Sequence, residues 1–206
     1  PEQVLEVFPR ARAVGVSFGV MLVHRHGFSM EVATFREEGE YSDHRRPDNV
    51  RFTNAQHDAM RRDFTINGLF RDPATGEVHD FVGGRADLEA GILRAIGDPE
   101  ARFHEDHLRM LRAVRFVACL GVKLDPETEA AIAAHAGELS GVSRERIGEE
   151  LRRLLQCSER AKGVALFERL GLGEAVFDTP SAASTFVRLE HVGREGGDLT
   201  AMLAAW

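Results

Sequence analysis

Hydrophobic and polar positions follow different periods in the two halves of the chain. Up to about residue 97, short apolar runs alternate with polar positions and are separated by glycine, proline and asparagine, a pattern typical of strands and hairpins. After residue 98, apolar positions recur every three to four residues, which predicts amphipathic helices. The pattern therefore predicts an α+β fold, with a sheet-containing part at 1–97 and an all-α part at 98–206.

The first part contains several predicted strands. Residues 14–24 are apolar and β-branched enough for one strand, and a turn follows it. Residues 28–35 alternate cleanly, which places Glu31 in the middle of a second strand. Residues 36–51 carry many charges and little apolar patterning, which predicts a mobile loop. The remaining predicted elements are a helix at 55–62 capped by Asn54, a hairpin at 71–84, a helical turn at 86–90 and a short strand at 92–96.

Charged residues are concentrated in residues 102–116, which read R-F-H-E-D-H-L-R-M-L-R-A-V-R-F. Asp98-Pro99 and Gly121 predict the two ends of one helix around this segment. A ridge of residues spaced by three along that helix consists of Asp106, Arg109, Arg112 and Arg115. Guanidiniums are planar donors and a carboxylate supplies acceptors, so this ridge is suited to reading a nucleotide base. From the helix alone, a solvated face of ion pairs is the alternative.

Composition limits the protein classes that fit. The net charge of −7 argues against nucleic-acid binding through overall charge, although a local basic patch can exist on an acidic protein. No apolar run approaches the length of a membrane span, and no signal peptide is evident. Cys119 and Cys157 both fall on predicted helices. We interpret them as separate core residues, with neither a disulfide nor a zinc site, which favours the reducing cytoplasm.

Three segments in this order carry a resemblance to a known family. They are E-V-A-T-F-R at 31–36, R-R-D-F-T-I-N-G-L-F at 61–70, and G-D-P-E-A-R-F-H-E-D-H-L-R-M-L-R-A-V-R-F at 97–116. Two further segments fit as well, at 81–88 and 142–151. The chain resembles the class II tRNA nucleotidyltransferases, which comprise bacterial CCA-adding enzymes and bacterial poly(A) polymerases. The resemblance covers about residues 1–155.

The resemblance implies a nucleotidyltransferase β-sheet head, a helical neck that holds the incoming nucleotide, and a helical body that binds tRNA. It implies that Asp106 and Arg109 pair with the base edge of CTP or ATP. Arg112 and Arg115 would help to hold the nucleotide and its phosphates. Such a site selects a base because a wrong base leaves buried polar groups unpaired.

The same resemblance implies the remaining parts of the reaction centre. Arg62 would contact the triphosphate and Asp63 the ribose. The family holds catalytic Mg²⁺ with an Asp-x-Asp pair, which we expect upstream of Pro1, and Glu31 would be the catalytic carboxylate that supports this pair as a further possible metal ligand. Two magnesium ions at such a site promote in-line nucleotidyl transfer.

The function implied is addition of C and A residues, taken from CTP and ATP, to the 3′ end of tRNA. Residues 14–23 are closer to the CCA-adding pattern, and residues 40–50 resemble the flexible loop that accompanies A addition. An A-adding enzyme and a poly(A) polymerase of the same family remain alternatives. A non-catalytic nucleotide- or RNA-binding module is another, because no Asp-x-Asp pair precedes the segments in this sequence. The sequence predicts no particular oligomeric state.

Overall fold

A computed structural model describes residues 1–15, 19–39 and 49–177, and its elements change from strands to helices as the sequence predicts. In the first part, short antiparallel sheets alternate with short helices. The strands are β1 (Arg12–Gly15), β2 (Val20–Arg25), β3 (Phe28–Ala33), β4 (Arg36–Glu38), β5 (Val50–Phe52), β6 (Leu69–Arg71), β7 (Val78–Asp80) and β8 (Ile92–Leu93). The helices are α1 (Glu2–Val7), α2 (Ala55–Met60) and α3 (Gly84–Ala90).

The prediction of one continuous strand at 14–24 is wrong, because this stretch contributes to two strands of one sheet. β1 ends at Gly15 and β2 begins at Val20, and the two pair antiparallel with a register shift between Ala13 and Gly15. Gly19 has a φ of +66°, which favours glycine, and a Cβ there would lie 2.8 Å from the ring of Phe52. The chain therefore turns back at a place where no side chain fits.

The prediction of a mobile loop at 36–51 is wrong at both ends of this range, where the structure has strands β4 and β5. β4 and β5 pair antiparallel, and the Gly39 N–H donates to the Asn49 carbonyl at 2.9 Å beyond their last ladder pair. Apolar patterning does not reveal this pairing, because backbone hydrogen bonds and a cross-strand ion pair between Arg51 and Glu37 (3.7 Å) join the two short strands. Residues 40–48 lie outside the described part of the chain, and the flexible loop expected at 40–50 falls almost entirely there.

Other local predictions in this part are confirmed. Asn54 caps α2 by accepting a hydrogen bond from the His57 N–H at 3.1 Å. The predicted hairpin consists of β6 and β7, with Asp72 accepting from the Ala74 N–H at 2.7 Å inside the turn. A 3₁₀ turn at Thr65–Asn67 connects α2 to this hairpin.

The second part is helical throughout its described residues, apart from strand β9 (Lys123–Leu124), which pairs parallel with β8. Its helices are α4 (Pro99–Glu105), α5 (Leu108–Leu120), α6 (Pro126–His135), α7 (Arg144–Leu155), α8 (Arg160–Arg169) and α9 (Leu172–Phe177), with a 3₁₀ segment at Ala136–Gly141. Buried apolar side chains of α5, α7 and α8 form the core, among them Met110, Val114, Leu154 and Phe167. No helix in the described ranges is long and apolar enough to cross a membrane.

The single helix predicted between Asp98 and Gly121 is wrong, because the chain breaks into α4 and α5 at Asp106. Asp106 has an extended backbone, with φ −149° and ψ 102°. Its carboxylate accepts the Leu108 N–H at 3.1 Å and so satisfies a donor at the start of α5. Consequently Asp106 does not share a helical ridge with Arg109 and Arg112. It lies at the entrance of their helix.

The prediction that the two cysteines are unpaired is also wrong. Cys119 lies in the last turn of α5 and Cys157 follows α7, and the structure joins them in a disulfide with their Cα atoms 4.6 Å apart. The pairing results from tertiary packing. Gly163 of α8 lies so close to α5 that a Cβ on it would be 2.6 Å from Ala118 Cβ.

Candidate functional site

A cavity of about 590 Å³ opens between the segment that follows α2 and the first half of α5. Its walls consist of Arg61, Arg62, Asp63, Asn67, Asp106, Leu108, Arg109, Arg112, Phe116 and Arg146. Two sequence segments that are far apart in the chain therefore meet at one site. Five of the six predicted nucleotide-binding residues line it, and Arg115 is the exception.

Asp63 lies at the inner wall and is nearly buried, with 8% of its surface exposed. It accepts hydrogen bonds from its neighbour Phe64 N–H at 2.9 Å and from Asn67 Nδ2 at 3.0 Å, and from Arg112 Nε at 2.8 Å. Burial acts to raise the pKa of Asp63, but the charge of Arg112 and these hydrogen bonds outweigh it and lower the pKa below its ordinary value. Asp63 is therefore an ionised acceptor.

Arg61 and Arg62 are held at the rim by one buried carboxylate, Asp58. Arg61 donates to Asp58 Oδ1 at 2.7 Å and Arg62 to Oδ2 at 3.0 Å. Arg62 also donates to the Asn67 carbonyl at 2.7 Å, and its guanidinium carbon lies 4.5 Å from the centre of the Phe70 ring. These contacts fix two cations side by side at the cavity.

Asp106 is paired with a residue that the sequence did not single out, Arg146 of α7. Arg146 Nη2 donates to both carboxylate oxygens of Asp106, at 3.1 and 2.8 Å. The segment 142–151 contributes to the family resemblance, but nothing local marks Arg146 as part of a site. Its partner lies 40 residues away along the chain, so only the fold reveals the contact.

Arg109 is nearly buried at the cavity wall, with 8% of its surface exposed. It forms an ion pair with Glu105, and it donates to the Arg102 carbonyl at 3.0 Å and to the Arg61 carbonyl at 3.3 Å. Because donors on both terminal nitrogens are engaged, the plane of the guanidinium is fixed. The guanidinium is therefore held in one orientation at the cavity wall.

Two predicted site residues are not brought to the cavity. Arg115 turns toward α7, where its Nε donates to the buried Glu150 carboxylate at 2.6 Å, and its guanidinium lies over the Phe116 ring at 4.3 Å. Glu31 is exposed on β3, opposite Leu22 of β2, and is not among the cavity's lining residues.

The residues present do not by themselves fit a magnesium site. Within residues 1–15, 19–39 and 49–177, no group of three or more His, Cys, Asp or Glu side chains is arranged to hold a metal ion. Mg²⁺ at nucleotide sites is usually held by one or two carboxylates together with substrate phosphates and waters, and Glu31 does not line the arginine-rich cavity.

The cavity is a positive site on an acidic protein. Its lining contains five guanidiniums (Arg61, Arg62, Arg109, Arg112 and Arg146) and two carboxylates (Asp63 and Asp106). The excess of cations favours an anionic ligand, even though the chain as a whole carries a net charge of −7. Buried acceptors and donors beside that positive charge suit a ligand with both phosphates and a polar ring.

Comparison with known proteins identifies the family. A family model of the poly A polymerase head domain matches residues 1–94. A second model, described as the probable RNA and SrmB-binding site of polymerase A, matches residues 121–186. The chain belongs to the class II tRNA nucleotidyltransferase and bacterial poly(A) polymerase family. The predicted family and the predicted α+β fold class are thus confirmed.

Individual members of this nucleotidyltransferase family resemble the chain closely. The CCA-adding enzyme of Latilactobacillus sakei is 44% identical over 173 residues, covering 84% of this chain and 43% of that protein. That of Lactiplantibacillus plantarum is 45% identical over 165 residues, covering 80% and 40%. The crystal structure of the Bacillus stearothermophilus CCA-adding enzyme in complex with CTP is 36% identical, with a TM-score of 0.79, covering 93% and 45%. The chain spans less than half the length of these relatives.

Proposed function

We propose that the protein containing this chain is a template-independent nucleotidyltransferase, which adds C and A residues from CTP and ATP to the 3′ end of tRNA. The observation that carries the proposal is the cavity itself. It brings Asp106 and Arg109 of the neck together with Arg62 and Asp63 of the head. The CCA-adding enzymes at 44% and 45% identity, and the related structure in complex with CTP, support the choice of substrates.

The base-reading part of the proposal rests on Asp106 and Arg109. Cytosine and adenine both present an exocyclic amino donor, whereas guanine and uracil present a carbonyl oxygen at the corresponding position. A carboxylate accepts from an amino group and repels a carbonyl oxygen. Asp106 offers about four acceptor positions, of which Leu108 N–H and Arg146 use three. An acceptor position remains for the base, beside the fixed guanidinium of Arg109.

The remainder of the nucleotide would occupy the positive side of the cavity. Arg62 and Arg112 are the cations that we assign to the triphosphate, and Asp63 is the ionised acceptor that we assign to a ribose hydroxyl. Arg112 lies within hydrogen-bonding distance of Asp63, so the two sites adjoin. We assign Arg115 a structural role, because its hydrogen bond to Glu150 holds α5 against α7.

The division of the chain is part of the same proposal. A head at 1–97 and a neck and body at 98–206 agree with family matches at 1–94 and 121–186. The ion pair between Asp63 and Arg112 then joins the head to the neck across the cavity. Glu31 is proposed as a catalytic carboxylate of the head, and a requirement for Mg²⁺ is proposed for the full-length protein.

An extension assay on the full-length protein tests the function. A tRNA lacking its terminal CCA is incubated with Mg²⁺ and with each nucleotide, separately and together. We expect C residues to be added from CTP alone and a single terminal A when ATP is also present, with no addition from UTP or GTP. Failure to add C to this tRNA together with addition of A to a tRNA that already ends in CC, long A tails, or nucleotide binding without any extension would each contradict the proposal.

A further inference from the structure

The two cysteines connect parts of the helical region that also support the cavity. Cys119 is in the last turn of α5, and Cys157 is in the turn between α7 and α8. Their Cα separation of 4.6 Å is within the range that a disulfide spans. The Glu159 N–H donates to the Ala118 carbonyl at 3.2 Å, so a backbone hydrogen bond joins the same two segments.

The two sulfur atoms of this pair have different surroundings. Cys119 is exposed, whereas Cys157 is 5% exposed. Cys157 Sγ lies 3.3 Å from the Arg153 carbonyl oxygen and 3.8 Å from the Arg115 carbonyl oxygen. Cys119 is therefore the sulfur that an incoming thiol can reach.

We propose that Cys119 and Cys157 form a reversible redox site that clamps the end of α5 to the α7–α8 turn. In the reductive direction, the thiolate of a low-molecular-weight thiol attacks Cys119 Sγ. The sulfur–sulfur bond breaks and its electron pair leaves on Cys157 Sγ. A second thiolate then attacks the mixed disulfide at the small thiol's sulfur, which releases the Cys119 thiolate and an oxidised small-molecule disulfide. Oxidation is the reverse, with that disulfide as the oxidant.

The state of this redox site affects the walls of the cavity, because both helices that it connects contribute to them. α5 carries Arg109 and Arg112, and α7 carries Arg146. Closing a loop of 38 residues restricts the unfolded chain and stabilises the folded one. The oxidised form should therefore melt at a temperature higher by about 5 °C or more. Backbone amides in α5 and α7 should also exchange with deuterium more slowly.

The experiment equilibrates the native full-length protein with glutathione buffers of increasing oxidised fraction. Differential alkylation followed by peptide mass mapping then reports residues 119 and 157. We expect both cysteines to resist alkylation in the oxidised buffers and both to be alkylated in the reduced ones. The melting temperature should change over the same range of glutathione buffers. Cys119→Ser, at an exposed position, should fold normally and lose the redox dependence. Ser140→Ala, another exposed position, should keep it.

Three results would overturn this proposal. If both thiols stay fully alkylatable in oxidised glutathione, no disulfide forms. If the pair stays oxidised in the native protein under excess dithiothreitol, it is a permanent crosslink. If the melting temperature is equal in both states, the pair does not stabilise the contact between α5 and the α7–α8 turn. None of these readouts uses a nucleotide, so they are independent of the proposed tRNA-extending activity.

Discussion

Arg112 and Arg115 lie one turn apart on α5, and only Arg112 lines the cavity. Their substitution therefore gives a matched pair of variants. Arg112 lines the cavity and is bound to Asp63. Arg115 lies outside it and is bound to Glu150. The substitutions Arg112→Ala and Arg115→Ala each remove one ion pair from the same helix. We expect both to destabilise the fold and the former alone to weaken nucleotide binding strongly.

The magnitudes follow from the exposure of each pair. Breaking a fully buried ion pair costs about 3–5 kcal/mol. The Arg112 side chain is 31% exposed and that of Asp63 is 9% exposed, so solvent reduces the cost to about 2 kcal/mol. The Arg115 pair is better buried, at 12% and 6%, and should cost about 3 kcal/mol. For a unit of this size the melting temperature should fall by about 4–8 °C and 6–12 °C respectively.

We expect the two variants to differ in their affinity for CTP. A hydrogen bond to a charged group contributes about 1.5–3 kcal/mol. Loss of a phosphate contact by Arg112→Ala should therefore weaken CTP binding about 10- to 100-fold. Arg115→Ala should change the Kd by less than about threefold. Calorimetric titration of CTP into the full-length protein, below the melting temperature of each variant, measures both.

A second substitution distinguishes lost stability from lost contact. Asp63→Asn in the Arg112→Ala background removes the buried unpaired charge, so the double variant should regain stability without regaining affinity. If Arg115→Ala weakened CTP binding as much as Arg112→Ala, Arg115 would contact the nucleotide as the sequence suggested. If Arg112→Ala left the affinity unchanged, the cavity would not be the nucleotide site.

Three further outcomes are expected. Arg109→Ala should reduce the preference of incorporation for CTP and ATP over UTP and GTP by about tenfold or more in the extension assay, whereas Arg71→Ala on the exposed hairpin should not. Glu31→Gln should depress turnover with Mg²⁺ far more than the affinity for CTP, and unchanged turnover would remove Glu31 from the reaction centre. Hydrogen bonds of His135 with Glu138 and with Glu100 raise the pKa of His135 above its ordinary value of 6.5. The stability that protonated His135 contributes is therefore complete below pH 6.5 and is lost as the pH rises through the raised pKa. The melting temperature should follow this trend, and His135→Asn should abolish it.

Much of the fold could be predicted from local signals. The capping Asn54, the Asp72 turn and the apolar stripe of α5 each specify their element through chemistry that lies within a few residues. The break at Asp106 could not, because helix-forming residues continue on both sides of it. The Asp106 carboxylate caps the start of α5 and also pairs with Arg146, a contact that only the fold creates.

The candidate site was predictable to the extent that it depends on sequence motifs. The resemblance named five of the residues that line the cavity, but it could not show that Arg115 turns toward Glu150 or that Cys119 meets Cys157. Each of these contacts joins helices through packing. The residue spacing within one helix contains no information about which neighbour lies opposite.

We propose that Asp106 reads the amino group of cytosine and adenine. The Kd of CTP, ATP, UTP and GTP can be measured for the full-length protein and for Asp106→Asn, which keeps the shape of the side chain and turns one acceptor into a donor. We predict that CTP and ATP bind about tenfold or more tightly than UTP and GTP, and that Asp106→Asn removes most of this difference. Equal affinities in the unmodified protein, or an unchanged preference in Asp106→Asn, would show that Asp106 does not read the base.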